Sequence, residues 1–577
     1  VPGKRYDDRA IDRIFSSVYA EANILKGLKY KVLFGTDIGY NTNGTFEGSF
    51  TNARKNGTPS ASYTNESNVG YTLENLLTYS KKFNEVHDFG VTFLQSIQAN
   101  TYQRHYTSVA DLPWEAQKWY RLESTATVVA KESLYRAWQL ASFMGRVNYS
   151  YRGKYLVQVS LRSDGSSRLA PATRWTNFPG VSLGWRVSDE NFMQSIPVIN
   201  ELKLRGSYGV VGNTSVEPNT VPGKLQITPY SWDEASAMGL ALLEIPNPAL
   251  TWEKSATINL GADFGLFESR LNGSFEYFVT NTTDLLLKRN LPLSTGYEFQ
   301  FANIGATRTN GFEVNLNATI LDRPNGFRWS ADMNVAHYKE QIVDLAQRNA
   351  AGEKVDDTGN SWFIGYPIKV YYQYNKIGIW QANEVEQAKA MDQAYPGEIK
   401  VEDWDGDGRI TPADRRILGT DVPKAYGGLT NRFSFKGIDL SAMLYYRLGF
   451  MIDSRFEDSQ ATMQGRYNNL NVDYWTIDNP TNAYPRPNKN QEFPQRRETL
   501  RYRQGGFVKL RNVQLGYNFP RTITERLGMT SLRVYVTGQN LFAWSEYKVW
   551  DPETVNQVET GDIPPPKLML GGLNITF

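Results

Sequence analysis

The chain has 577 residues, a formal net charge of +2, no cysteine and only three histidines, and it carries 34 Tyr, 28 Phe and 14 Trp at a mean hydropathy of −0.48. It contains no uninterrupted apolar run of the length a membrane-spanning helix needs, both signs of charge are scattered, and there is no thiol to build a disulfide framework. A helical membrane protein and a disulfide scaffold are excluded, and nothing in the composition points to nucleic acid. The opening "VPGKRYDDRA" has neither an apolar signal core nor a small-residue cleavage pattern, so the chain is expected to start partway through a longer protein.

Along the chain, segment after segment alternates in polarity with period two, the signature of strand. In "FMGRVNYSYRGKYLVQVSLRSDGSSR", Phe143, Gly145, Val147, Tyr149 and Tyr151 share one face, and Arg146, Asn148, Ser150 and Arg152 the other. After a turn at Gly153, Tyr155, Val157, Val159 and Leu161 oppose Lys154, Gln158, Ser160 and Arg162. Ala256, Ile258, Leu260, Ala262 and Phe264 likewise oppose Thr257, Asn259 and Asp263, and the pattern returns in "SLRVYVTGQNLF" and "LMLGGLNITF". Antiparallel sandwiches also alternate, so the connections decide. Short turns near 24, 83, 153, 266, 323, 437 and 523 interleave with long polar stretches near 41–69, 103–139, 213–249, 342–423 and 453–505. Short turns on one side and long loops on the other describe an all-β transmembrane antiparallel β-barrel of the outer-membrane type, with the long loops extracellular. Leu573, Ile575 and the terminal Phe577 share a face suited to a lipid-facing last strand.

About 17 strands can be counted, an odd number. Bacterial barrels close with an even number, so residues 1–577 are expected to be the C-terminal portion of one barrel domain, of about 22 strands in all, the size class whose lumen holds a plug.

Within the 342–423 stretch, "DWDGDGRITPAD" places Asp403, Asp405 and Asp407 at positions one, three and five of a calcium loop, Gly408 at the sharp turn, Arg409 at the carbonyl position and Asp414 at position twelve. Asp replaces Glu at position twelve, and Pro412 stands where an exiting helix would begin. The spacing therefore favours an isolated, structural Ca²⁺ loop, with a merely solvated Asp/Gly turn as the alternative.

The long stretches are rich in rings: Trp114, Trp119, Tyr120, Tyr230, Trp232, Trp362, Tyr371, Tyr372, Tyr374, Trp380, Tyr474 and Trp475. Flat aromatic faces beside Asn, Gln and Asp suit sugars, and Trp362, Tyr371, Tyr374, Trp380, Tyr474 and Trp475 are the candidates for substrate contact; interfacial or loop-packing roles are the alternative. An enzyme finds little support. His87, His105 and His337 lie far apart with no metal-binding spacing, "GVVGNTS" lacks the lysine of a phosphate loop, and Asp189 and Glu190 fall in a turn on the short-connection side.

The blocks "SLRSDGSSRLAP", "RWTNFPGVSLGWRVSDENFM", "LKLRGSYGVVGN", "DWDGDGRITPADRRILG" and "GLNITF" resemble the SusC/RagA family of TonB-linked outer-membrane transporters of Bacteroidota, over most of the chain from about residue 140. The resemblance implies a plugged barrel that imports nutrients, driven by the inner-membrane TonB–ExbB–ExbD complex and capped by a hinged SusD-like lipoprotein, in dimers of transporter–lid pairs. Glycans are the favoured cargo and peptides the runner-up, with a passive porin or a surface adhesin as the other non-enzymatic readings. No TonB box or plug is recognisable in these residues.

Overall fold

The computed structural model describes residues 4–577 apart from 56, 126, 234, 243, 298, 325, 456, 458–470, 492 and 555–564. In chain order its strands are β1 (Arg5–Leu25), β2 (Leu28–Glu47), β3 (Ser60–Phe83), β4 (His87–Ala110), β5 (Val128–Tyr151), β6 (Tyr155–Ser166), β7 (Trp175–Arg186), β8 (Ile199–Asn213), β9 (Leu225–Trp232), β10 (Ala235–Leu242), β11 (Glu253–Leu266), β12 (Leu271–Thr283), β13 (Leu286–Asn290), β14 (Phe299–Asn303), β15 (Ala306–Asp322), β16 (Arg328–Asp344), β17 (Tyr371–Gln373), β18 (Lys376–Ile379), β19 (Ile399–Val401), β20 (Arg416–Gly419), β21 (Ala425–Phe435), β22 (Ile438–Leu448), β23 (Met451–Asp453), β24 (Tyr502–Gln504), β25 (Phe507–Asn518), β26 (Ser531–Ser545) and β27 (Leu568–Thr576). Among the described residues, seventeen of these form one antiparallel sheet, in keeping with the strand count read from the alternation; the other ten form five two-stranded ribbons inside long connections. None of the described helices is long and apolar enough to cross a membrane.

The chain divides into two compact units: Val1–Trp185 with Arg205–Ile258 and Thr282–Gly305, and Arg186–Leu204 with Asn259–Asn281 and Ala306–Phe577. In the first unit, cross-strand rows explain the alternation. Phe89, Tyr149, Val157 and Leu183 lie in register across β4 to β7, as do Val91, Val147, Val159 and Val181 in the next row. Their neighbours on the opposite face are polar: Asn148, Gln158 and Ser182 form one such row, and Arg146 pairs with Ser160. The apolar face is the more exposed one, with Val159 at 51% and Leu183 at 58%, whereas the polar face is half-buried. This inverts the arrangement of a soluble sheet and is what a lipid-facing strand requires.

The second unit repeats the inversion. Ile438, Tyr517, Val534 and Leu573 form one apolar row across β22, β25, β26 and β27, all exposed. Rings gather at the short-turn ends, where Trp329 and Phe327 stack on Phe433 and Tyr517 packs edge-on against Phe519, the positions of an interfacial aromatic girdle. The short turns carry the chemistry that tight hairpins demand. Between Phe435 and Ile438 both central residues, Lys436 (φ 47°) and Gly437 (φ 87°), have positive φ, and a Cβ on Gly437 would meet the Asn518 carbonyl oxygen at 2.7 Å.

Strand alternation sends the connections 48–59, 111–127, 167–174, 214–252, 284–305, 345–424, 449–506 and 546–567 to one end of the sheet, and the turns, together with the longer 187–198 and 519–530 segments, to the other; the turn expected near 523 is a 12-residue connection holding a short helix, Arg521–Thr524. Two loop expectations need correction. Most of 41–69 and 103–139 is strand: β3, β4 and β5 each run 24 residues, about 80 Å, well over twice the 9–11 residues that cross a bilayer. Their far halves have polar residues on both faces, as with Lys131, Glu132 and Ser133 of β5, so the alternation that betrays a lipid-facing strand is lost there although the pairing continues. Three further connections at that end, 167–174, 284–305 and 546–567, were not anticipated, and residues 456, 458–470 and 492 of the 453–505 stretch lie outside the described residues.

Candidate functional site

The connections 345–424 and 449–506, both in the second unit, fold onto one another. Ribbons β17–β20 and β18–β19 give the first connection its frame, and a short helix, Val385–Asp392, packs beside it. The core is joint: Tyr374, Ile379, Ile399 and Val401 pack with Trp475 and Leu500, and a second small cluster holds Trp380, Ala388 and Ala394. Polar bonds link the two. Asn482 accepts from the Ile379 N–H at 3.0 Å, Trp475 Nε1 donates to Gln381 Oε1 at 2.9 Å, and Arg496 Nη2 donates to Asp392 Oδ1 at 2.6 Å with its guanidinium 4.3 Å from the Tyr374 ring centroid. Beside them the Tyr484 hydroxyl donates to the fully buried Glu457 at 2.6 Å; burial, reinforced by that bond, pushes the phenol up to about 12. Lys376 donates to the Asn482 carbonyl at 2.6 Å, and burial, with Arg503 nearby, brings its ammonium down to about 8.

This packing corrects the substrate-contact expectation for four of six rings. Tyr371, Tyr374, Trp380 and Trp475 are between 0 and 7% exposed, and no stacking face is left for a ligand. A long polar connection needs its own interior to be ordered, and these rings supply it. Tyr474 remains 44% exposed, Trp362 is half-buried in a bridge with Asp357, and the structure does not bring the six together as one surface. Open aromatic surface lies elsewhere on the long-connection end: Trp114, Tyr120, Trp404, Tyr230 and Trp232 are all more than half exposed. Tyr230 and Trp232 pack edge-on, 5.3 Å between centroids, on the β9–β10 ribbon, opposite the small Ala237 and Ala235. The rings occupy every second position of β9, a signal obscured by Pro229 within the strand.

In the Asp403–Asp414 loop, carboxylate oxygens of Asp403, Asp405 and Asp414 lie within 4.8 Å of one another. Asp414 is fully buried and accepts from the Trp404 and Thr411 amides, each at 2.7 Å, which fixes it at the base of the loop. Asp403 accepts from Gly406 and Gly408, whose φ values of 74° and 81° bend the chain around it. Asp407 is not part of the cluster; it accepts the N–H of Arg409 at 2.7 Å, and only the main chain of Arg409 takes part. A 3-10 turn capped by Thr411 follows, not an exiting helix. Three converging carboxylates form an all-oxygen donor set suited to a hard divalent cation. The three histidines are dispersed: His87 packs on Tyr149 and Tyr151, His105 faces Ser133 and His337 meets the Lys424 carbonyl.

An antiparallel sheet that is apolar on its exposed face, turns tightly at one end and elaborates its connections at the other is that of a protein crossing a membrane with strands. The chain belongs to the family described as "TonB dependent receptor-like, beta-barrel", whose model matches residues 3–541. It is 28% identical to TonB-dependent receptor P26 of Formosa agariphila over 532 residues, 88% of this chain and 53% of that protein. It is 26% identical to TonB-dependent receptor SusC of Bacteroides thetaiotaomicron over 526 residues, 86% of this chain and 50% of the relative. Among solved structures, the RagAB peptide transporter shares the fold over the whole chain with a TM-score of 0.85 at 22% identity, and the match covers 63% of that chain. The SusC/RagA resemblance read from the sequence agrees with these matches. The chain spans about half the length of the curated relatives it matches.

Proposed function

We propose that this chain contributes the membrane-spanning strands of a TonB-dependent importer in the bacterial outer membrane. Its cargo is oligosaccharide, its energy comes from the TonB–ExbB–ExbD complex, and a SusD-like lipoprotein closes over the long-connection end, in dimers of transporter–lid pairs. The observation that carries the reading is the conjunction of exposed apolar rows, which need lipid, with elaborated connections confined to one end. Exposed Tyr230, Trp232, Trp114 and Tyr120 offer the stacking faces a sugar ring uses. Calcium, held by Asp403, Asp405 and Asp414, stiffens the loop where cargo or lid meets the transporter. A peptide cargo is the second reading, favoured by the shared fold of the RagAB peptide transporter.

The test is uptake by cells carrying the complete transporter, with labelled oligosaccharide and oligopeptide pools offered in parallel, with and without a protonophore. Protonophore-sensitive uptake of oligosaccharides supports the proposal, and the same behaviour for peptides alone moves the cargo to the second reading. Uptake indifferent to the protonophore refutes energised import.

A further inference from the structure

The first unit holds a cavity of about 430 Å³ lined by Asn100, Tyr102, Arg136, Trp138, Arg168 and Glu217, among others. It lies against β3 and the half-buried face of β4 and β5, and residues of the connections 167–174 and 214–252 complete its lining. Most of its polar groups are already matched. Arg136 Nη2 pairs with Glu217 Oε1 at 3.0 Å, Glu217 also takes Lys224 at 3.0 Å, Tyr102 donates to Glu66 at 3.0 Å, and Asn100 donates to Asn68 at 2.9 Å.

Arg168 is the exception. Its guanidinium lies 4.5 Å from the Trp138 ring centroid, and Nη1 donates weakly to the Thr214 carbonyl at 3.3 Å. Its Nε is buried with no hydrogen-bond partner, and among the described residues no carboxylate forms an ion pair with it. Partial burial lowers its basicity. Its planar fork fits a carboxylate through two parallel N–H bonds. The indole holds the plane of the fork in place.

We infer that this cavity is a cargo subsite for a carboxylate group, bound by Arg168 over Trp138. The inference rests on the import reading and deepens it. The carboxylate belongs either to an acidic sugar unit or to the C-terminus of a peptide.

The experiment measures binding by calorimetry to the purified complete transporter in detergent, using four probes: trigalacturonate and its neutral counterpart trigalactose, and N-acetyl-trialanine and its neutral C-terminal amide. One acidic probe is expected to bind at least about tenfold more tightly than its neutral counterpart, and which one does so names the source. Arg168→Gln should erase that preference, and Arg168→Lys should restore only part of it because an ammonium lacks the fork. Glu217→Gln, which releases Arg136, should tighten the acidic probe, a gain that misfolding cannot mimic. Equal binding of acidic and neutral probes, no binding of either acidic probe, or a preference that survives Arg168→Gln would each overturn the assignment. Any of these results alongside protonophore-sensitive uptake by the same protein would leave the import reading standing while this one falls.

Discussion

Replacing Arg496 by methionine should unlock the joint core of the two longest connections while leaving the sheet intact. Asp392 is 6% exposed and receives two bonds from Arg496, at 2.6 and 3.3 Å; without them its only side-chain partner among the described residues is Gln495, at a long 3.4 Å. Removing one member of a buried pair costs about 3–5 kcal/mol because the other charge stays buried and unmatched. At 1.4 kcal/mol per decade, local opening becomes on the order of a hundred- to several thousandfold more frequent. Hydrogen–deuterium exchange read by mass spectrometry on peptides covering β18 and β19 measures this directly, with β21 and β22 as the internal reference. The double variant Asp392→Leu with Arg496→Met should recover most of the protection, since an apolar pair of similar volume replaces the ions. Acceleration of less than about fivefold in the single variant, or equal acceleration in β21 and β22, would refute the account of how these connections are held.

Other expectations follow from the same geometry. Calcium added to chelator-treated protein should slow proteolysis of the Asp403–Asp414 loop and shift the emission of the exposed Trp404, and Asp403→Ala with Asp405→Ala should abolish both responses; an unchanged response would remove calcium from the loop. Lys376 has a folded pKa of about 8, below the usual lysine value, so its contribution is complete above pH 10.5 and fades as pH falls through about 8. Loop stability, followed by exchange or proteolysis, should therefore rise between pH 8 and 9.5, below the range where Tyr484 begins to act in the opposite sense, and Lys376→Met should flatten that rise. Val159→Arg on the exposed apolar row should cost up to about 2–4 kcal/mol in folding into bilayers, and Ser160→Arg on the opposite face much less; similar costs for both would refute the assignment of faces.

The sheet was legible because each lipid-facing strand repeats a two-residue rule that its neighbours share. Val147, Val159 and Val181 can be placed on one row from alternation and turn position alone. The rule fails where β3 to β5 run on with polar residues on both faces, so paired backbone there reads as loop. Site residues were harder. A tryptophan in a polar stretch reads the same whether it waits for a ligand or closes a core, and Trp380 does the latter at 0% exposure. Asp392 and Arg496 meet across 104 positions with no local motif to couple them. The clustering of carboxylates in the Asp403–Asp414 loop was the easier case because the spacing of its acidic residues is local, and even there the structure draws Asp407 out of the cluster.

The joint core of the two longest connections is separate from the rows that face lipid. Tyr374, Trp475 and Leu500 enclose one another without drawing on a lipid-facing residue of the sheet. A connection that carries its own interior is portable. Its outward surface can be rewritten by mutation or recombination while strand register, and with it residence in the membrane, stays untouched. Such a division lets one scaffold vary its outward surface without disturbing its strands, and chimeras exchanged at the strand ends, near Asp344, Ala425, Leu448 and Phe507, are the natural way to move these connections from one member of the family to another.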